Sequence, residues 1–240
     1  MRDEPAASLN EAHDTRIVPR GTRPRARVTV DPEGEEIASS VTHGIGFILG
    51  TVELILLVVF SSLYGDAWTI VSCSIFGATI VMMYAMSTLY HGLRGRRVKH
   101  IFKILDHSSI FFLIAGTYTP FTLVFLRGPW GWTLFGIVWA GFILGTVFKS
   151  LAVKKMNILS TATYIIMGWG AVIALKELID KVPPGALIFL ILGGLMYTIG
   201  VPFYAMKKIP FNHAVWHLFV LAGTTFHFLS VFLYVIPGHA

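Results

Sequence analysis

AWTIVSCSIFGATIVMMYAMSTLYHGLRGRRVKHIFKILDHSSI, residues 67–110, decides the class of fold. From Ala67 to His91 it holds no Asp, Glu, Lys or Arg. A helix of that length rises about 37 Å, enough to cross a hydrocarbon core about 30 Å thick. Arg94, Arg96, Arg97, Lys99 and Lys103 follow at once, and the chain then turns apolar again from Ser108. Two apolar runs joined by a basic loop read as two membrane spans returning to the same side.

The same pattern extends in both directions. Runs near the roughly 20 residues a bilayer requires fall at 41–60, 67–91, 108–126, 130–148, 158–175, 186–206 and 214–236. The expected fold is all-α, a bundle of seven transmembrane helices in residues 37–240. Composition agrees: of 240 residues, 55% are hydrophobic and 13% charged, with mean hydropathy +0.69. A soluble domain carries about 25% charged residues, so a soluble reading is excluded. The 23 glycines suit closely packed membrane helices, with Gly46/Gly50 and Gly141/Gly145 as candidate contacts. Gly116 and Pro120 are expected to bend the third span. Cys73 is the only cysteine, so no internal disulfide forms.

Residues 1–36 differ. They contain Pro5, Pro19, Pro24, Pro32 and six Arg with little apolar periodicity, and read as a disordered basic tail. The basic residues then orient the bundle. The six Arg of the tail, the five basic residues from Arg94 to Lys103, Lys149, Lys154, Lys155, Lys207 and Lys208 fall on one side; Arg127, Lys176 and Lys181 fall on the other. The positive-inside rule puts the N-terminus in the cytoplasm and the C-terminus outside. The net charge of +6 is thus accounted for by membrane orientation, and a nucleic-acid partner is not expected. The expected location is the cell membrane, with membrane lipid as partner.

Chain direction brings polar residues to one depth. His91 ends the second span, Asp106 opens the third, and His213 and His217 open the seventh. All four lie on the cytoplasmic side. The two histidines of the seventh span stand four apart and share a helix face. Ionisable groups at membrane depth mark functional sites by default. Three imidazoles with a vacant position suit a catalytic zinc ion; iron, nickel and copper stay open. Water at such a site reaches a pKa near 7. Asp106 is placed either to take that water's proton or to orient a ligand imidazole. Ser87, one turn from His91, is placed to hydrogen-bond the water, Asp106 or a carbonyl. The bland alternative for Ser87 is a back-bond to its own helix.

Three patterns carry a family resemblance: Glu36-x-x-Ser39-x-x-x-His43 in EEIASSVTHGIG, Ser87-x-x-x-His91 followed by Asp106, and His213-x-x-x-His217 in FNHAVWHLF. In order and on these spans they resemble the progestin and adipoQ receptor family, most closely its hemolysin III branch, over residues 36–236. The resemblance implies seven helices, an inside N-terminus, and zinc held by His91, His213 and His217 with water near Asp106 and Ser87. Similar architectures include ceramidases, which hydrolyse a lipid amide; the hemolysin III name implies cytolysis instead. Where the adiponectin-receptor form has Asn, this chain has Ser39; where that form has an aromatic residue after the aspartate, it has His107. The long N-terminal domain of the animal receptors is missing, which argues against ligand signalling of their kind.

His43 is level with the site and is read as a supporting residue rather than a fourth ligand, with Glu36 capping or positioning it. His107 is expected to point away into the interface. His100, His13 and His239 carry no signal. Glu53 and His227 both fall about 15 Å deeper than the site and are expected to pair with each other. Trp130, Trp132, Trp169, Trp216 and Tyr234 read as interfacial aromatics.

Two functions follow. One is a metal-dependent hydrolase of a lipid amide or ester, with lateral substrate entry, catalysis by Asp106 and Ser87, and the metal stabilising the oxyanion. The other is a hemolysin III-type cytolysin or membrane-homeostasis protein with structural zinc. A wide pore through one chain needs a polar stripe that the spans lack. A metal transporter needs polar residues at several depths, of which Glu53 and His227 are the only hints.

Overall fold

A chain in hydrocarbon has to satisfy its backbone groups internally, and helices do so within each segment. In the computed structural model, which describes residues 32–151, 157–206 and 208–236, seven helical segments are long and apolar enough to cross a membrane. They comprise α1 (Pro32–Tyr64), α2 (Ala67–Gly92), α3 (Arg96–Pro120, prolonged by a π-helical turn, Phe121–Phe125), α4 (Pro129–Leu151), α5 (Asn157–Gly168) with α6 (Leu175–Lys181), α7 (Pro184–Ala205) and α8 (Asn212–Ser230, prolonged by a π turn, Val231–Val235). No strand occurs among the described residues. Arg2 to Arg27, Lys154, Lys155, Lys207, His13 and His239 lie outside them.

Two helices start earlier than their apolar runs. Helix α1 begins at Pro32 and takes in Glu36, assigned to the tail by sequence. Proline suits the first turn, and Glu33 and Glu35 there face the positive helix end. Helix α3 begins at Arg96, so Asp106 lies almost three turns inside it rather than at its opening. Hydropathy marks where a helix enters hydrocarbon; the hydrogen-bonded spiral continues into the polar zone.

Helix α1 packs against both α2 and α8, α2 against α3, α3 against α4 and α5, and α7 against α8. Helix α3 is the most enclosed span. Large apolar side chains such as Ile48, Leu63, Leu144 and Ile166 stay exposed on the outer faces, as lipid contact requires. Inside, Leu57, Phe76, Ile80 and Tyr84 are fully covered.

Gly46 and Gly50 let α1 approach α2: an added Cβ would lie 2.6 Å from the Tyr84 ring and 2.7 Å from Ile80 Cγ2. Gly46→Val is therefore expected to destabilise the bundle by about 1–3 kcal/mol, the usual cost of overpacking, visible as a lower melting temperature in detergent. Gly116 serves closeness rather than bending, since its Cα faces the Thr79 side chain. The deviation in the third span comes after Pro120, where the π turn begins. Thr122 Oγ1 donates there to the carbonyls of Tyr118 (3.0 Å) and Thr119 (3.1 Å).

The fifth span breaks between α5 and α6 in a 3-10 turn, Gly170–Ala174. Tyr118 holds the break: its hydroxyl accepts from Ala171 N at 2.8 Å and lies 2.9 Å from the carbonyls of Met167 and Gly168. Trp169, read as interfacial, sits at this break in mid-span and donates Nε1–H to Thr198 Oγ1 at 3.0 Å. The indole needed a partner, and a kinked helix facing α7 provided one.

Candidate metal centre

Chain direction and helix spacing bring three histidines together. His91 sits in the last turn of α2, and His213 and His217 occupy successive turns at the start of α8. Their candidate ligand nitrogens all lie within 4.8 Å of one another. His91 Nε2 and His213 Nε2 are 3.2 Å apart. Two nitrogens bound tetrahedrally to one zinc ion at about 2.0–2.1 Å would stand about 3.3 Å apart. His91 and His217 are buried, and the three rings come from α2 and α8, none from α1.

Helix α1 instead holds the far sides of these rings. His91 Nδ1 lies 2.9 Å from Glu36 Oε2, and Lys99 Nζ approaches the same oxygen at 2.9 Å. His217 Nδ1 lies 3.1 Å from the Ser39 carbonyl and 3.2 Å from Thr42 Oγ1. A carboxylate or carbonyl on Nδ1 fixes the tautomer and leaves Nε2 as the lone-pair donor, the usual outer shell of a histidine metal site. Glu35 Oε1 accepts from the backbone N of His213 at 3.1 Å, and Asn212 ties the start of α8 to the Phe203 and Tyr204 carbonyls at 3.1 Å each. Glu36→Gln is expected to weaken metal affinity about 10–100-fold, measured by competition with a chelator of known affinity.

Buried polar atoms beside the cluster lack protein partners. Among the described residues Ser39 Oγ, both ring nitrogens of His43 and Ser87 Oγ make no hydrogen bond. Buried polar groups are normally satisfied, so their convergence beside three imidazoles suits an ion with water around it. Asp106 is buried nearby, its Oδ2 3.4 Å from His107 Nδ1. Ser87 is buried as well and borders the same cavity as the carboxylate. Asp106, Ser87, His43, His213 and His217 border one cavity of about 440 Å³. It passes Tyr118 and His227 and reaches Leu126 and Leu178 towards the other end of the bundle, with mostly apolar walls.

Several sequence expectations change. Glu36 reaches His91, not His43: seven residues of helix separate Glu36 from His43 by about 10 Å along the axis. His43 stacks face to face on His217, ring centroids 3.4 Å apart, and meets Tyr84 edge-on at 5.1 Å. His107 faces the cavity rather than the membrane interface, because α3 is packed on most sides and has little outer face. No hydrogen bond or ion pair joins Glu53 to His227 among the described residues. His227 Nε2 lies 3.2 Å from the Leu190 carbonyl, and its ring packs on Tyr197 at 5.4 Å. Gly193 lets α8 come so close to α7 that this carbonyl is the nearer partner. Sequence reasoning missed Glu35, Thr42 and Lys99; the recurrence of polar residues every three or four positions from Glu35 to Thr42 was the available signal. The Ser39 substitution has a simple account: its carbonyl, which any residue supplies, holds His217.

Comparison with known proteins shows the family. The chain is 45% identical over 203 residues to Hemolysin-3 of Bacillus cereus, covering 85% of this chain and 93% of that protein. It is 46% identical over 202 residues to the Hemolysin-3 homolog of Bacillus subtilis (strain 168), covering 84% and 95%. The human Monocyte to macrophage differentiation factor is 27% identical over 207 residues, 84% of each chain. The model of the Haemolysin-III related family matches residues 33–228. With seven membrane-spanning helices and the histidine cluster at one end of them, this multi-pass membrane protein belongs to the Haemolysin-III related family, the hemolysin III branch of the progestin and adipoQ receptor family.

Proposed function

We propose that His91, His213 and His217 hold a zinc ion on the cytoplasmic side, and that the site hydrolyses an amide or ester of a membrane lipid. The observation that carries this is the pairing of oriented imidazoles with an apolar cavity ending at them. Pockets of this size admit a small ligand or a single chain, and the exposed apolar faces put the bundle in contact with lipid. A bound ion would be held by His91, His213 and His217 and would supply Lewis acidity, lowering the pKa of water at the site. Glu36 and the Ser39 carbonyl hold two ligand rings in register. Asp106 accepts a proton from the attacking water and returns it to the leaving group. Ser87 Oγ, buried beside it, orients that water or the scissile carbonyl. His43 walls the site on the α1 side. The basic loops at this end support a cytoplasmic placement.

A second reading, cytolysis or membrane homeostasis with a structural ion, draws on the names of the Bacillus relatives. The mostly apolar walls of the cavity weigh against a wide aqueous pore within one chain. Metal analysis of purified protein with a lipid-hydrolysis screen separates the two. Turnover of an amide or ester by metal-loaded protein supports the hydrolase; tight metal with no turnover across lipid classes supports the structural ion.

A further inference from the structure

Lys149 has no role in the mechanism above, and its position is unusual. It lies in the last turn of α4, at the end of the bundle that holds the histidines. A lysine there normally extends its ammonium to the headgroups. This one turns inward: it is 3% exposed, its Nζ donates to Ser160 Oγ at 3.2 Å, and it borders the same cavity as Asp106, Ser87 and His213. Among the described residues no carboxylate lies within ion-pairing distance of it; Asp106 acts on it only at longer range, its Oδ2 being 3.4 Å from His107 Nδ1. A buried cation that meets only a hydroxyl is poorly compensated. An anionic group entering the cavity would complete its hydrogen bonding.

We propose that Lys149 makes the cavity selective for single-chain amphiphiles whose polar end is anionic, over neutral lipids of the same length. This rests on the reading of the cavity as a lipid chamber. The acyl chain lies along the apolar wall towards Leu126, and the anionic end meets Lys149 and Ser160 beside the metal centre. The preferred substrate is then an acyl amide or ester whose other half carries a carboxylate or similar acid, rather than a neutral alcohol headgroup.

The test uses two ethers that an amidase or esterase cannot cleave, hexadecyloxyacetate and hexadecyloxyethanol. They share a chain and differ in a carboxylate against a hydroxyl. Their affinities are measured by displacement of a fluorescent acyl probe from full-length protein in nanodiscs. Wild type is expected to favour the carboxylate by about tenfold or more, the scale of one charged hydrogen bond. Lys149→Met is expected to bring the two within about twofold with unchanged affinity for the alcohol, and Lys149→Arg to retain the preference. Equal binding of both by wild type, a preference surviving in Lys149→Met, or equal loss of both in that variant would overturn the proposal. Binding of neither by wild type would instead remove the lipid chamber itself. Because no turnover is needed, a site that hydrolyses nothing leaves this result readable.

Discussion

Replacing His213 with Ala is expected to strip the protein of metal while leaving it folded. His213 Nε2 is one of two nitrogens already at tetrahedral spacing, 3.2 Å from His91 Nε2. Its loss leaves His91 and His217 on different helices with no third nitrogen between them. His43 cannot substitute, because its ring lies parallel to His217 at 3.4 Å and its lone pairs occupy another plane. Losing an outer partner of a ligand lowers affinity about 10–100-fold; losing the ligand should exceed that. Bound metal per chain should fall from about one to near zero after dialysis. The fold should persist, since Asn212 still anchors the start of α8 to the Phe203 and Tyr204 carbonyls. Elemental analysis and thermal melting on the same sample check both halves. Full metal content in this variant would remove His213 from the ligand set.

Asp106→Asn should separate metal binding from chemistry. The carboxylate stands outside the three-nitrogen cluster, with His107 Nδ1 3.4 Å from its Oδ2. The amide keeps its volume and loses its ability to accept a proton. Loss of a general acid–base group costs about a hundred- to ten-thousand-fold in rate. The variant should therefore bind metal as wild type does and hydrolyse lipid at least about a hundred times more slowly. Lost metal would make Asp106 a ligand; undiminished turnover would exclude it as the base.

Both expectations use residues that were legible in the sequence, for a physical reason. Spans are read from apolar runs, and their alternating direction assigns each end to a side. His91, His213 and His217 therefore had to meet at one level whatever the packing. What could not be read was azimuth and register between helices. Glu36 and Glu53 are both acids on α1, yet one holds His91 and the other makes no pair with His227. Which way each points depends on how closely glycines such as Gly46 and Gly193 let neighbours approach. Lys149 was counted as one charge of a basic loop, and only its inward turn sets it apart. Trp169 was misread for the same kind of reason: the break held by Tyr118 is a tertiary feature with no local signature.

Zinc K-edge absorption on purified protein tests the central claim most directly, because it reports the ligands themselves. About one zinc per chain is expected, with three imidazoles recognised by their outer-shell scattering, nitrogens at about 2.0–2.1 Å, and one oxygen ligand without such scattering in the fourth position. Fewer than three imidazoles, or a spectrum unchanged when His91, His213 and His217 are all replaced, would contradict it.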